Sequence, residues 1–150
     1  MEDDCWREIL VPASTSLAVL SDQIIAPVMG WARGYHGYMF VDTADGATLG
    51  PKSHAGYIDM MHVGTHFKGY MDDHDIPLAL ILKKPGDYCL YTYDLGDRWE
   101  HALEVVEEFG EEVELVDGYG ACPPERRKVL WDTGRCWNYT RRSLLSVRKL

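Results

Sequence analysis

No apolar run in this 150-residue chain approaches the roughly 18 to 20 residues needed to cross a bilayer. The acidic start Met1-Glu2-Asp3-Asp4 also lacks the basic n-region of a secretory leader. The expected location is therefore intracellular, in the cytoplasm, with no membrane contact. Cysteine is sparse: Cys5, Cys89, Cys122 and Cys136 form no C-x-x-C pair, so spacing argues for neither a structural zinc site nor a redox dithiol. Reduced thiols are the simplest reading. Also missing are G-x-x-x-x-G-K-[ST], G-x-G-x-x-G and G-x-S-x-G, which argues against the common nucleotide-binding and hydrolase classes. Basic residues are few over most of the length. From Met1 to Glu125 there are 7 against 23 acidic ones, a charge of -16, whereas Arg126 to Leu150 holds 8 against 1, a charge of +7. The net -9 is thus divided by position.

What is present describes an ordered protein. A hydrophobic content of 46% with five Trp, nine Tyr and three Phe is enough to bury a core, and the length suits one domain. Trp6 to Val11 reads as a strand stopped by Pro12. Ser14-Thr15-Ser16 then offers an N-cap to a helix carrying Leu17, Leu20, Ile24 and Val28 on one face, with Gly30 placed to end it and Pro27 to kink or shorten it. Tyr35 to Val41 reads as a central strand with both faces partly covered, Tyr35, Met39 and Val41 opposite His36, Tyr38 and Phe40. Between Asp42 and Asp75 glycines recur and the period is lost, so a long loop is expected there, with a short irregular element around Tyr57 to Met61.

A short helix is expected over Asp75 to Lys84, capped by Asp75, with Pro77 in its first turn and Leu78, Ile81 and Leu82 inward. Cys89, Tyr91, Tyr93 and Leu95 then alternate on one strand face, and Trp99, His101, Leu103 and Val105 on the next, with Gly96-Asp97 as a hairpin turn. The acidic segment Glu107 to Glu114 leads into a last strand at Val113 to Val116. Leu144, Leu145 and Val147 suggest a short terminal helix.

The run Tyr91-Thr92-Tyr93-Asp94-Leu95-Gly96-Asp97-Arg98-Trp99-Glu100-His101 resembles the signature of the Ri-plasmid ORF-three-like family, with Leu95 where an aromatic residue is usual. Trp6-Arg7-Glu8-Ile9-Leu10-Val11-Pro12, Met29-Gly30-Trp31 and Gly120-Ala121-Cys122-Pro123-Pro124-Glu125 are similar to the family in the same order. The resemblance implies an α+β two-layer sandwich, with helices packed on one face of a mixed or antiparallel sheet. It also implies an accessory protein of mobile-element type, with no settled activity. It assigns residues 1–125 to the family domain, and leaves 126–150 as a basic, aromatic C-terminal extension docked on the same domain. The sequence departs from the family pattern over Asp42 to Asp75 and after Glu125.

Candidate chemistry gathers in four places. Asp94, Asp97 and His101 could handle a proton or a divalent metal, but the two aspartates equally suit a tight turn and His101 lies on a core face. His62, His66 and His74, with His54, Asp59, Asp72, Asp73 and Asp75 nearby, could share a metal, although Gly64 weakens any helix and no H-E-x-x-H is formed. Cys122 and Glu125 flank a diproline that more simply fixes a chain crossing. Arg126, Arg127, Lys128, Arg141 and Arg142, interleaved with Trp131, Trp137 and Tyr139, could contact a protein partner, a second copy or nucleic acid. The acidic body disfavours nucleic acid. No cofactor is expected; a divalent metal is the only one these residues could hold. Two functions stay open: a non-enzymatic interaction or accessory module, and a small metal-dependent or nucleic-acid-acting enzyme using Asp94, Asp97 and His101.

Overall fold

The computed structural model describes residues 5–54, 69–106, 113–120 and 143–148. Strand β1 (Trp6–Leu10) directs Ile9 inward and, with Val11 beyond it, enters the core before Pro12 ends the ladder. Ser16 then caps helix α1 (residues 17–28), its hydroxyl accepting from the Val19 N–H at 3.3 Å. The helix starts as α over Leu17–Val19, widens to π over Leu20–Ile25 and returns to α at Ala26–Val28. Pro27 accounts for the widening: it has no N–H to donate, and the Ala26 N–H before it reaches back five residues to the Ser21 carbonyl. The disturbance expected at Pro27 is therefore a π segment ahead of it.

Gly30 (φ 77°) closes the helix by donating to the Pro27 carbonyl, while the Trp31 N–H reaches the Ala26 carbonyl at 2.8 Å. This is a Schellman cap, with glycine in the left-handed conformation that it adopts without steric cost. Strand β2 (Tyr38–Asp42) begins three residues later than the alternation suggested, because residues 33–36 form turns and bends with Gly34 at φ 63°.

The expected long loop over 42–75 contains two short strands, β3 (Thr48–Gly50) and β4 (Tyr70–Asp72), and a 3-10 turn at Lys52–His54. Asp42 makes the first turn, its Oδ1 accepting from the Ala44 N–H and its carbonyl from Gly46. The element expected around Tyr57 to Met61 lies outside the described residues. Helix α2 (Leu78–Ile81) is capped by Pro77 rather than Asp75, and its first N–H is satisfied by the Thr15 carbonyl at 2.8 Å. Leu78, Ile81 and Leu82 point inward as expected.

Strands β5 (Tyr88–Tyr93) and β6 (Trp99–Val105) form the expected hairpin, in the register Tyr91 to His101 and Tyr93 to Trp99. Its turn spans five residues, 94–98, and Leu95 belongs to it rather than to the strand. Strand β7 (Glu114–Tyr119) pairs antiparallel with β1. The terminal segment read as helix is strand β8 (Ser143–Arg148), parallel to both β6 and β1. Leu144, Leu145 and Val147 fit a strand paired on both of its edges, where strict alternation is not required.

These strands form one mixed sheet in the order β4-β3-β2-β5-β6-β8-β1-β7, an α+β fold. Leu17, Leu20, Ile24 and Ile25 of α1 share a core with Phe40, Leu49, Cys89, Tyr91, Leu103 and Val105. At about 25 cal/mol per Å² of apolar surface, this burial is the main drive to fold. Met39 and Thr92, cross-strand neighbours on the opposite sheet face, are also buried. No helix among the described residues is long and apolar enough to cross a membrane.

Candidate functional site

Where α1 crosses the start of β2, a cavity of about 330 Å³ is lined by Ser21, Asp22, Gln23, His36, Tyr38, His74 and Tyr93, among others. Each wall follows from a feature already described. The π segment presents Ser21, Asp22 and Gln23; the Schellman cap turns the chain toward Ala32 and His36; β2 contributes Tyr38; and the bend after β4 brings Asp73 and His74 against α1. Asp73 is fixed there by its backbone, its N–H donating to the Gly50 carbonyl at 3.1 Å.

The inner wall is backed by two hydrogen-bonded pairs. Tyr38 donates its O–H to Asp73 Oδ2 at 2.6 Å, and Ser21 Oγ lies 2.9 Å from the Tyr91 hydroxyl. Asp73 is 2% exposed, and burial pushes its carboxyl above the usual carboxylate range against the opposing pull of the Tyr38 hydrogen bond. Burial likewise holds the Tyr38 and Tyr91 phenols well above their ordinary value, so both stay protonated.

The opposite wall depends on the hairpin turn. Asp94 takes the left-handed conformation (φ 56°), and its Oδ1 accepts from the N–H groups of Gly96 at 3.0 Å and Asp97 at 3.2 Å. Its other oxygen, Oδ2, lies 3.3 Å from His36 Nδ1. That contact favours the proton on Nδ1, and Nε2 is buried with no hydrogen-bond partner among the described residues. At the rim, Arg33 Nε donates to Asp22 Oδ2 at 2.9 Å.

Behind Tyr93 lies an aromatic stack. Trp31 covers the Tyr93 ring at 4.2 Å with the planes 6° apart, and His101 meets Trp31 edge-on at 5.3 Å. His101 is 3% exposed, with Nδ1 3.4 Å from the Tyr91 carbonyl, and burial lowers its pKa to about 4. It is a neutral core side chain at physiological pH. Burial also pushes the Cys89 thiol far up, which makes it unreactive.

The residues singled out from sequence thus divide. Asp94 and Asp97 share the turn, but the histidine that Asp94 meets is His36, while His101 packs into the core. His74 lines the cavity; His62, His66 and Glu125 lie outside the described residues, as do Arg126, Arg127, Lys128, Arg141 and Arg142. Among the described residues no group of three or more His, Cys, Asp or Glu side chains is arranged to hold a metal ion. Ser21, His36 and Tyr38 were not singled out. The available signal was polar residues interrupting otherwise apolar, inward-facing periods on α1 and β2.

A mixed eight-stranded sheet carrying a polar cleft beside a buried aromatic stack defines a small α+β protein. The chain belongs to the plasmid pRiA4b ORF-3-like protein family, whose model matches residues 1–142. That match runs through Asp42 to Asp75 and past Glu125, the stretches read as departures from the family pattern. The uncharacterized protein y4hQ of Sinorhizobium fredii is 28% identical over 144 residues, which cover 93% of this chain and 64% of that protein. The chain therefore spans just under two thirds of the length of this relative. No solved structure matches it.

Proposed function

We propose that the chain is a non-enzymatic binding module, of accessory type, whose contact site is the cleft bounded by α1, His36 and Tyr38. The carrying observation is the cavity of about 330 Å³ with its polar groups held by buried networks, at the lower end of the size range for ligand sites. The Ser21 hydroxyl is engaged by Tyr91 rather than poised beside a base, which favours recognition over nucleophilic chemistry. The opposite charges of 1–125 and 126–150 further support a protein partner or a second copy engaging the basic segment, in preference to nucleic acid.

The Asp94–His36 pair supports a second reading, a small enzyme in which His36 exchanges a proton with a bound substrate. It draws on Asp94 together with His36 and needs no metal. Titrating the 15N-labelled chain with a fragment set of mixed charge separates the two. Saturable shifts at Ser21, His36, Tyr38 and His74 with every ligand recovered intact are expected. Fragments that leave these signals unmoved would remove the cleft as a binding site, and turnover of a bound fragment would favour the enzyme.

A further inference from the structure

Strand β7 ends the sheet, and among the described residues β1 is the one strand that pairs with it. All of its residues are exposed, the apolar Leu115, Val116 and Tyr119 included, as those of a strand covered on its outer side would not be. An edge strand of this kind presents alternate N–H and C=O groups outward, where a further strand can pair with them. The edge is also held in shape. Arg7 crosses Gly118, where a Cβ would meet its Cδ at 2.8 Å, and donates to the carbonyls of Tyr119 at 2.9 Å, Gly120 at 3.1 Å and Val28 at 3.2 Å. These bonds tie β7 to the end of α1, so an incoming strand does not have to order it. Arg7 and residues 115–120 line a shallow cavity of about 310 Å³ on the same edge.

A bulge decides what this edge selects. The ladder shifts between Glu8 and Ile9: Asp117 pairs with Glu8, Leu115 with Ile9 and Glu114 with Leu10, which leaves Val116 as an extra residue. In a regular strand Glu114 and Asp117 would face opposite sides. With Val116 extra, both fall on the face away from the α1 core, together with Tyr119, the partner of Trp6. We infer that the β7 edge takes a basic, extended segment of a partner protein as a further strand, its lysine or arginine side chains beside Glu114 and Asp117 and its backbone on the outer groups of β7. Opposite charges on neighbouring strands attract, and the exposed Tyr119 ring offers a face to a cation. A second copy fits the edge poorly, since pairing β7 with β7 would bring the same carboxylates, and two chains of net charge -9, against each other. In the sheet order this edge lies well away from β2, and the inference does not depend on the cleft.

The test titrates the full chain at low salt with a capped peptide alternating lysine and valine. Two controls accompany it: the same peptide with its backbone nitrogens methylated, and a peptide alternating glutamate and valine. Saturable binding of the first is expected, with amide shifts and slowed hydrogen exchange at residues 115–119. Methylation keeps the charge but removes the ladder donors, and should weaken binding about tenfold or more. The double variant Glu114→Gln, Asp117→Asn should weaken it about fivefold or more, the scale of two cross-strand charge pairs. Both side chains are exposed, and an unchanged urea midpoint confirms that this variant is folded. If the methylated peptide binds as tightly as the first, charge alone holds it and strand addition is overturned. If the glutamate peptide matches the lysine one, or the double variant binds unchanged, the basic partner is overturned. Exchange in β7 that slows with protein concentration and no peptide would make a second copy the occupant and overturn it equally. Absence of binding by every probe would overturn the inference outright.

Discussion

Asp73 shows what a single buried charge does to this molecule. Its carboxyl is raised by burial above the ordinary value of 3.8, so the fold favours the protonated form, and that favourable contribution is lost as pH rises through the folded value. Asp73→Asn, which keeps an acceptor for Tyr38 and removes the charge, should hold or raise stability in urea at neutral pH. Tyr38→Phe leaves the carboxylate without its donor and should cost about 2 to 3 kcal/mol. A loss in Asp73→Asn as large as in Tyr38→Phe would contradict this ordering. His101 works in the opposite sense, since its folded pKa of about 4 lies below the ordinary 6.5. Its contribution is fully present above about pH 6.5 and is lost as pH falls toward 4, on the order of 3 kcal/mol in all. Comparing urea midpoints at neutral and mildly acidic pH should show this loss in the native chain and a much flatter profile in His101→Phe.

At the scale of elements, the turn between β5 and β6 carries the most local strain. Arg98 sits at φ 55°, which costs a side-chain-bearing residue about 1 kcal/mol or more. Arg98→Gly should therefore raise stability by up to about 1 kcal/mol, read from its urea midpoint, and a fall would mean that the arginine side chain contributes more than its backbone costs. The hairpin was legible in the sequence because residues 88–105 alternate with a period of two. Its turn length was not, since aspartate and glycine suit several turn types. Strands β3 and β4 were hidden because three residues carry too little periodicity to recognise. Strand β8 was misread because adjacent leucines fit a helix face as readily as a strand in the middle of a sheet. Of the cleft, Asp94 was visible through the family signature. Its partner His36 comes from a turn far earlier in the chain, and no spacing rule joins the two.

Across the whole molecule, the last described strand joins the two parts of the sheet. β1 and β6 each pair with β8 and not with each other, so the β1–β7 ladder connects to the rest of the sheet through β8. A chain ending at Arg142 should lose hydrogen-exchange protection first in β1 and β7, while the β5–β6 hairpin keeps more of its own. Unchanged protection in β1 would contradict the pairing. The fold also brings Ser21, His36, Tyr38 and His74 together around one cavity, and the central claim is that Asp94, reaching His36 from the hairpin turn, fixes the ring that lines it. The most direct test is the ring-nitrogen NMR spectrum of His36. The expected result is a proton on Nδ1, the nitrogen that faces Asp94. A proton on Nε2 with none on Nδ1 would contradict the account.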